Sequence, residues 1–273
     1  MTRIESFGWR GEVVPGLGRI VSAHGDYYHL VCNEQPSGEI LARKKKAAFL
    51  HSSQLPITGD FVRFRYNDCG DSLITEILPR FSHFERKDPT ARRSSQTLAV
   101  NFDTLFIMMS LNEDFSTARI RRYLDLTVDM GTAEAVVVVS KIDLREPGDD
   151  ELLRALDEEV AGAAKVLHIS SRTGEGMDEV RRFVTPGHTV AFIGSSGVGK
   201  STLLNELAGE TWQATQEIQD WSGKGRHTTT SRELVMLPSG AMVIDTPGIR
   251  EIGMVGETEA LLRKGESSHR YRK

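Results

Sequence analysis

Gly194-Ser195-Ser196-Gly197-Val198-Gly199-Lys200-Ser201 fits the pattern G-x-x-x-x-G-K-[ST] at every fixed position. Before it, Thr189-Val190-Ala191-Phe192-Ile193 is an apolar run of strand length; after it, Thr202-Leu203-Leu204-Asn205-Glu206-Leu207 reads as a helix. A buried strand turning through glycines into a helix is the setting in which this pattern cradles phosphate. Backbone N–H groups close around the phosphate oxygens and the helix points its positive dipole end at them. Lys200 is then expected to reach the outer phosphates and the Ser201 hydroxyl to ligate Mg²⁺, with Gly194 through Thr202 all facing nucleotide. The plainer alternative, a Gly/Ser turn that only caps a helix, does not account for both flanks and all fixed positions together.

Working outward, the 273 residues suit about two domains, and a 39% hydrophobic content supports ordinary cores. Met1-Thr2-Arg3-Ile4-Glu5-Ser6 has no apolar signal-peptide core, and no apolar run approaches the length of a membrane span, so a cytoplasmic location without membrane contact is expected. The two cysteines, Cys32 and Cys69, are too few for a disulfide framework and are not spaced as metal ligands. Residues 1–93 carry 14 Lys/Arg against 11 Asp/Glu, whereas the remainder carries 20 against 27, so a polyanionic partner is sought at the N-terminal end.

Between Gly18 and Pro79 the chain reads as five short strands: Arg19–Ala23, Tyr27–Cys32, Glu39–Arg43, Phe61–Tyr66 and Leu73–Leu78. With turn signals between them, they suit a small all-β barrel of the oligonucleotide-binding (OB) type over residues 1–80. Arg43, Lys44, Lys45 and Lys46 are the candidate RNA-binding residues, with Arg63, Arg65, Tyr27 and Tyr28 as further phosphate contacts and stacking faces. A barrel used only for packing, with a solvated basic loop, remains the alternative. Residues 81–100 lose periodicity and are polar and basic, which reads as a linker.

From Asp103 strands and helices alternate: Thr104–Met109, a helix within Ala118–Met130, Ala135–Val139, a helix led by Asp149-Asp150-Glu151, Val166–Ile169, and a helix opened by Gly176-Met177. Leu234–Leu237 and Met242–Ile244 follow the phosphate loop. This predicts an α/β unit over residues 101–253, a mainly parallel sheet covered on both faces with ligands at the carboxyl ends of its strands. A short basic tail occupies 254–273.

Each strand end carries chemistry. Ser140-Lys141-Ile142-Asp143 follows a five-residue apolar strand, and a carboxylate at Asp143 accepts from the ring N–H and exocyclic amine of guanine, whereas adenine offers the wrong edge. Ser170-Ser171-Arg172 is placed to meet the guanine carbonyl. Asp245-Thr246-Pro247-Gly248 ends another strand, where Asp245 would hold Mg²⁺ and the Gly248 N–H would sense the last phosphate. Base-reading motifs thus precede the phosphate loop, the reverse of the usual GTPase order. Circular permutation explains this, because the motifs meet in space at strand ends wherever the chain is cut.

On these residues the chain resembles the ribosome small subunit-dependent GTPase A family, circularly permuted P-loop GTPases with an N-terminal OB barrel. The resemblance spans about residue 17 to about residue 253. It rests on the permuted order, on Thr58-Gly59-Asp60, on Asn101-Phe102-Asp103-Thr104 through Ser110-Leu111-Asn112-Glu113-Asp114-Phe115, and on Lys224-Gly225-Arg226-His227-Thr228-Thr229-Thr230 and Asp245-Thr246-Pro247-Gly248-Ile249-Arg250-Glu251. It implies GTP hydrolysis stimulated by the small ribosomal subunit during late maturation of that subunit, with the barrel on its rRNA; a monomer is expected.

Two departures stand out. Ser140 replaces the more usual Asn or Thr, keeping a hydroxyl. The family also carries a C-terminal zinc domain of three Cys and one His, but only 25 residues follow Gly248 and none is Cys, so zinc is not expected in this chain. Ile249 stands where many GTPases place a water-orienting Gln, and an isoleucine cannot position water. His227 is the candidate catalytic residue in its place, and Thr229 is the chosen Mg²⁺ ligand among three neighbouring threonines. The rival reading is a GTP-gated RNA-binding module with negligible hydrolysis.

Overall fold

The computed structural model describes residues 1–35, 38–50, 52, 54–87, 95–112, 115–209 and 232–245, with Arg86, Lys87, Ser95 and Asp245 described by their backbone alone. After a single helical turn, α1 (Arg3–Ser6), come β1 (Leu17–His24), β2 (Tyr27–Cys32), β3 (Glu39–Lys44), β4 (Phe61–Arg65) and β5 (Ser72–Ile77). They close in the order β1-β2-β3-β5-β4-β1, with only the β3–β5 pairing parallel. Alternate residues point inward, so Ile20, Tyr28, Leu30, Ile40, Val62, Phe64 and Ile74 fill one apolar interior. This is the expected OB-type barrel.

The segment read as a linker differs from expectation. β6 (His83–Lys87) and β7 (Ser95–Val100) pair as an antiparallel two-stranded sheet. Phe84, Leu98, Ala99 and Val100 are buried, and the first three belong to the core cluster of the following α/β unit. Few apolar residues lie among many charges there, so no period stands out, yet two short runs are enough once they pair and pack.

The α/β unit comprises β8 (Thr104–Ser110), α2 (Thr117–Asp125), β9 (Glu134–Ser140), α3 (Asp149–Val160), β10 (Lys165–His168), α4 (Met177–Arg181), β11 (Thr189–Ile193), α5 (Lys200–Ala208), β12 (Glu233–Met236) and β13 (Met242–Asp245). Its strand order is β10-β9-β8-β11-β13-β12, parallel except for β12. One apolar cluster covers each face, with Leu105, Ile107 and Ile193 on one side and Phe106, Met108 and Phe192 on the other. Helix α2 ends at Asp125, inside the expected span, and Thr127 closes the next turn by donating to the Leu124 carbonyl through both its N–H (2.9 Å) and its hydroxyl (2.7 Å). Strand β12 also pairs with β1 of the barrel at Glu233 and Ser22, which joins the two sheets into one eleven-stranded ladder.

A buried ion pair reinforces the barrel end of this joint. Asp60 accepts from Arg80 Nε at 2.7 Å and Nη2 at 2.9 Å, and from the Ile57 N–H at 2.9 Å. Burial pushes the Asp60 carboxyl up and the Arg80 guanidinium opposes that shift. Arg80→Ala strands the carboxylate and is expected to cost about 3 kcal/mol near neutral pH. Without its counterion the carboxyl rises further, so protonation in acid relieves the penalty and the gap to the parent narrows towards about pH 5. Urea unfolding at both pH values measures this; a gap independent of pH would show that lost charge pairing is not the cause.

Candidate nucleotide site

From β8 the chain runs outward through β9 to β10, then returns to place β11 on the other side of β8. A crevice opens at such a reversal, beyond the carboxyl ends of the strands. The phosphate loop leaves β11 at this point. Gly194 has φ +152°, and a Cβ on it would stand 2.6 Å from the Met108 carbonyl oxygen of β8, so only glycine fits. Val198 is buried in the apolar cluster beneath and pins the loop from below. Gly199, at φ +98°, is the N-cap of α5 and turns the chain into the helix. Lys200 Nζ lies across the loop, donating to the carbonyl oxygens of Gly194 (2.6 Å) and Ser195 (2.8 Å). Ser196, Gly197, Ser201 and Thr202 are exposed.

The base-reading residues stand on the neighbouring strand ends. After β9, Lys141 takes a left-handed conformation (φ 62°) and Ile142–Leu144 form a 3-10 turn, with Ile142 buried as its anchor. Asp143 is thereby placed to accept from the Ser170 hydroxyl through Oδ1 at 2.7 Å. Ser170 is fully buried, and its Oγ also accepts from the N–H groups of Arg172 (3.3 Å) and Thr173 (3.2 Å). It therefore orients the carboxylate from beneath rather than facing the crevice. Ser171 is half-buried and Arg172 exposed beside it.

Ser140 also differs from its expected place at the nucleotide. It is 4% exposed and its hydroxyl donates to the Val198 carbonyl at 2.6 Å, which ties the base-reading strand to the phosphate loop. A serine side chain is short, and with its one donor directed into the loop it acts as a brace. Sequence spacing alone gave no sign of this cross-link, because Ser140 and Val198 are far apart in the chain.

Asp143 is expected to accept from the N1–H and amino group of guanine, and Asp143→Asn replaces that acceptor by a donor. GTP affinity is expected to fall by about tenfold to a hundredfold. Xanthosine triphosphate, with a carbonyl in place of that amino group, should lose less. Titration of the variant with both nucleotides checks this; an equal loss would remove Asp143 from base recognition.

Asp245 ends β13, which runs parallel to β11 with Ile244 opposite Ala191, so its backbone reaches the same sheet edge as the phosphate loop. His227, Thr229 and Gly248 lie outside the described residues. Among the described residues no group of three His, Cys, Asp or Glu gathers to hold a metal. A P-loop Mg²⁺ needs no such group, since phosphate and water oxygens supply most ligands. A glycine-lined turn, a lysine across it and an exposed Ser201 in the first turn of α5 fit a Mg²⁺-bound polyphosphate.

On the barrel, the basic run is partly countered by its own neighbours. Arg43 pairs with Asp71 at 2.6 Å and lies 4.2 Å from the Tyr27 ring centroid, and Lys44 pairs with Asp26 at 3.1 Å. Lys45 and Lys46 are exposed where β3 runs into the short turn Lys46–Ala48. Tyr27, Arg43, Leu73 and Arg65 stand in register across four strands. Tyr28, by contrast, is buried inside the barrel, so it offers no stacking face.

The permuted order of these elements around a P-loop, behind an OB-type barrel, defines a circularly permuted P-loop protein of the GTPase class. The RsgA GTPase family profile matches residues 77–255, and the chain belongs to that family. Small ribosomal subunit biogenesis GTPase RsgA 2 of Lactiplantibacillus plantarum is 41% identical over 236 residues, covering 86% of this chain and 66% of the relative, so the chain spans about two thirds of its length. Among solved structures, YjeQ from Thermotoga maritima superposes with a TM-score of 0.63 at 26% identity, over 85% of this chain and 74% of that one. YloQ, described as a circularly permuted GTPase, shares the fold with a TM-score of 0.58 at 24% identity, over 96% of this chain and 85% of that one. No described helix is long and apolar enough to cross a membrane.

Proposed function

We propose that this chain binds GTP with Mg²⁺ in the β8/β11 crevice and hydrolyses it, with the small ribosomal subunit as the stimulating partner and late maturation of that subunit as the setting. The observation that carries the reading is Asp143, held by Ser170 from the adjacent strand end while Ser140 ties the same strand to the phosphate loop. Base recognition and phosphate binding are thereby built as one unit. The relatives' names supply the subunit. The barrel, with Lys45 and Lys46 exposed and Tyr27 and Arg43 on its outer face, would meet the rRNA, the protein acting as a cytoplasmic monomer.

Mg²⁺, when bound, neutralises charge on the outer phosphates. Lys200, Ser201, Thr202 and the loop N–H groups hold the phosphate chain, while Asp245, Thr229 and Ser201 are the protein groups assigned to the ion. Gly248 donates its N–H to the last phosphate. His227 holds the attacking water in line, the work that Ile249 cannot do. Ser171 and Arg172 meet the guanine carbonyl from the loop that Ser170 anchors.

Single-turnover hydrolysis with and without small ribosomal subunits tests this reading. GTP turnover that rises on adding subunits, with ATP inert, is the expected result. Tight GTP binding with no turnover under either condition would favour a GTP-gated RNA-binding module instead.

A further inference from the structure

Thr58-Gly59-Asp60, the turn leading into β4, serves neither the nucleotide nor the RNA contacts described above. Thr58 is 2% exposed and Asp60 fully buried, and the turn bonds both to barrel strand β1 and to residues outside the barrel. The Thr58 hydroxyl donates at 2.9 Å to the carbonyl of Arg232, the residue before β12. Gly59 has φ +96°, and a Cβ there would stand 2.7 Å from the Val100 carbonyl oxygen and 3.2 Å from Ile244 Cδ1. Ile244 immediately precedes Asp245.

Arg19 of β1 extends the same joint. It is fully buried, and its guanidinium donates to the carbonyls of Phe7 (2.6 Å), Asn101 (2.7 Å) and Gly59 (3.3 Å), to Thr189 Oγ1 (3.0 Å) and to Met242 Sδ (3.3 Å). Thr189 opens β11, which ends at the phosphate loop, and Met242 opens β13, which ends at Asp245. Burial pulls the guanidinium down to about 9 against the influence of Asp103 and Asp60, so it stays charged at neutral pH. A buried charge shared among neutral acceptors resists displacement, because each lost bond leaves a desolvated donor unpaired. Barrel strand β1 and both nucleotide-site strands are therefore held to one another at a single point.

We propose that Arg19 and the Thr58-Gly59-Asp60 turn form the joint through which a ligand on the barrel and a nucleotide in the crevice influence each other. Anything that shifts the barrel bears on the starts of β11 and β13 through Arg19, and through Thr58 on the start of β12, which lies beside the end of β13. Coupling between binding sites is reciprocal, so the nucleotide must alter the barrel as the barrel alters the nucleotide site. The proposal rests on the GTP-binding part of the reading above and requires no hydrolysis.

Amide hydrogen exchange on the whole chain, with and without Mg²⁺ and a non-hydrolysable GTP analogue, reads the coupling directly. The reporters are the N–H of Ile20, bonded to the Asp60 carbonyl, and the N–H of Gly59, bonded to the Ile20 carbonyl, both at 2.9 Å. In the parent chain the analogue should slow both amides by about fivefold or more. Thr58→Val, which keeps the shape and removes the donor to Arg232 while leaving the bonds of Arg19 in place, should weaken that response while analogue affinity stays within about threefold, and Thr58→Ser should retain it in full. Parent amides indifferent to saturating analogue, or a valine variant that responds like the parent, would overturn the coupling. So would a valine variant whose analogue affinity collapses, because the turn would then be scaffold only. Failure of the parent to bind the analogue would overturn the GTP reading as well, whereas binding without a barrel response overturns the joint alone.

Discussion

Lys200→Ala is expected to weaken Mg²⁺-dependent GTP binding by about two to three orders of magnitude. Removing one partner from a desolvated charge contact costs about 2–5 kcal/mol, and the phosphates would face the loop without their counter-charge. The structure adds a second loss. With Nζ gone, the carbonyls of Gly194 and Ser195 lose the donor that bridges the loop at 2.6 and 2.8 Å, so the cradle is less ordered before nucleotide arrives. The barrel has its own closed hydrogen-bond ring and core and should be unaffected. Calorimetric titration with GTP, alongside a circular dichroism melt, separates the two; undiminished binding would mean that the loop does not hold phosphate.

His227→Ala is expected to leave GTP affinity nearly intact and to lower subunit-stimulated turnover by about 10²–10⁴-fold, the range for a group that positions or deprotonates the attacking water. Affinity is expected to survive because the proposed base and phosphate contacts come from Asp143, Lys200 and the loop amides, whereas Ile249 offers no second group for the water. Single-turnover rates at saturating subunits measure the effect, with equilibrium binding measured in parallel. Full stimulated turnover in the variant would take His227 out of the mechanism, and a parallel loss of affinity would reassign it to binding.

Much of this was legible in the sequence, and the reasons are physical. A strand of Thr189–Ile193 followed by fixed glycines leaves few conformations open, and the apolar run before Ser140 marks a buried parallel strand ending at the ligand edge. The barrel could be read from period-two alternation. What escaped depends on contacts between distant residues. Arg19 sits within Leu17–Val21, a stretch buried throughout, and an arginine in such a run was the available sign that one face meets another part of the protein. Ser140 looked like a ligand contact because its position in the motif suggested one, and only the fold shows the Val198 carbonyl beneath it. The hairpin of β6 and β7 was hidden because its few apolar residues gain cover from the α/β core rather than from one another.

The permuted strand order also sets a timetable for synthesis. β8, β9 and β10 are made in succession and pair as a three-stranded half-sheet, but the free side of β8 must wait for β11, whose first residue is Thr189. Such long-range parallel pairing is slow and leaves an open hydrogen-bonding edge on a nascent chain. Nucleotide cannot help at that stage, because the base-reading strand emerges well before the loop that grips the phosphates. A ligand that binds only the folded site adds stability by mass action, so GTP can contribute once the phosphate loop has been made and has met the end of β9.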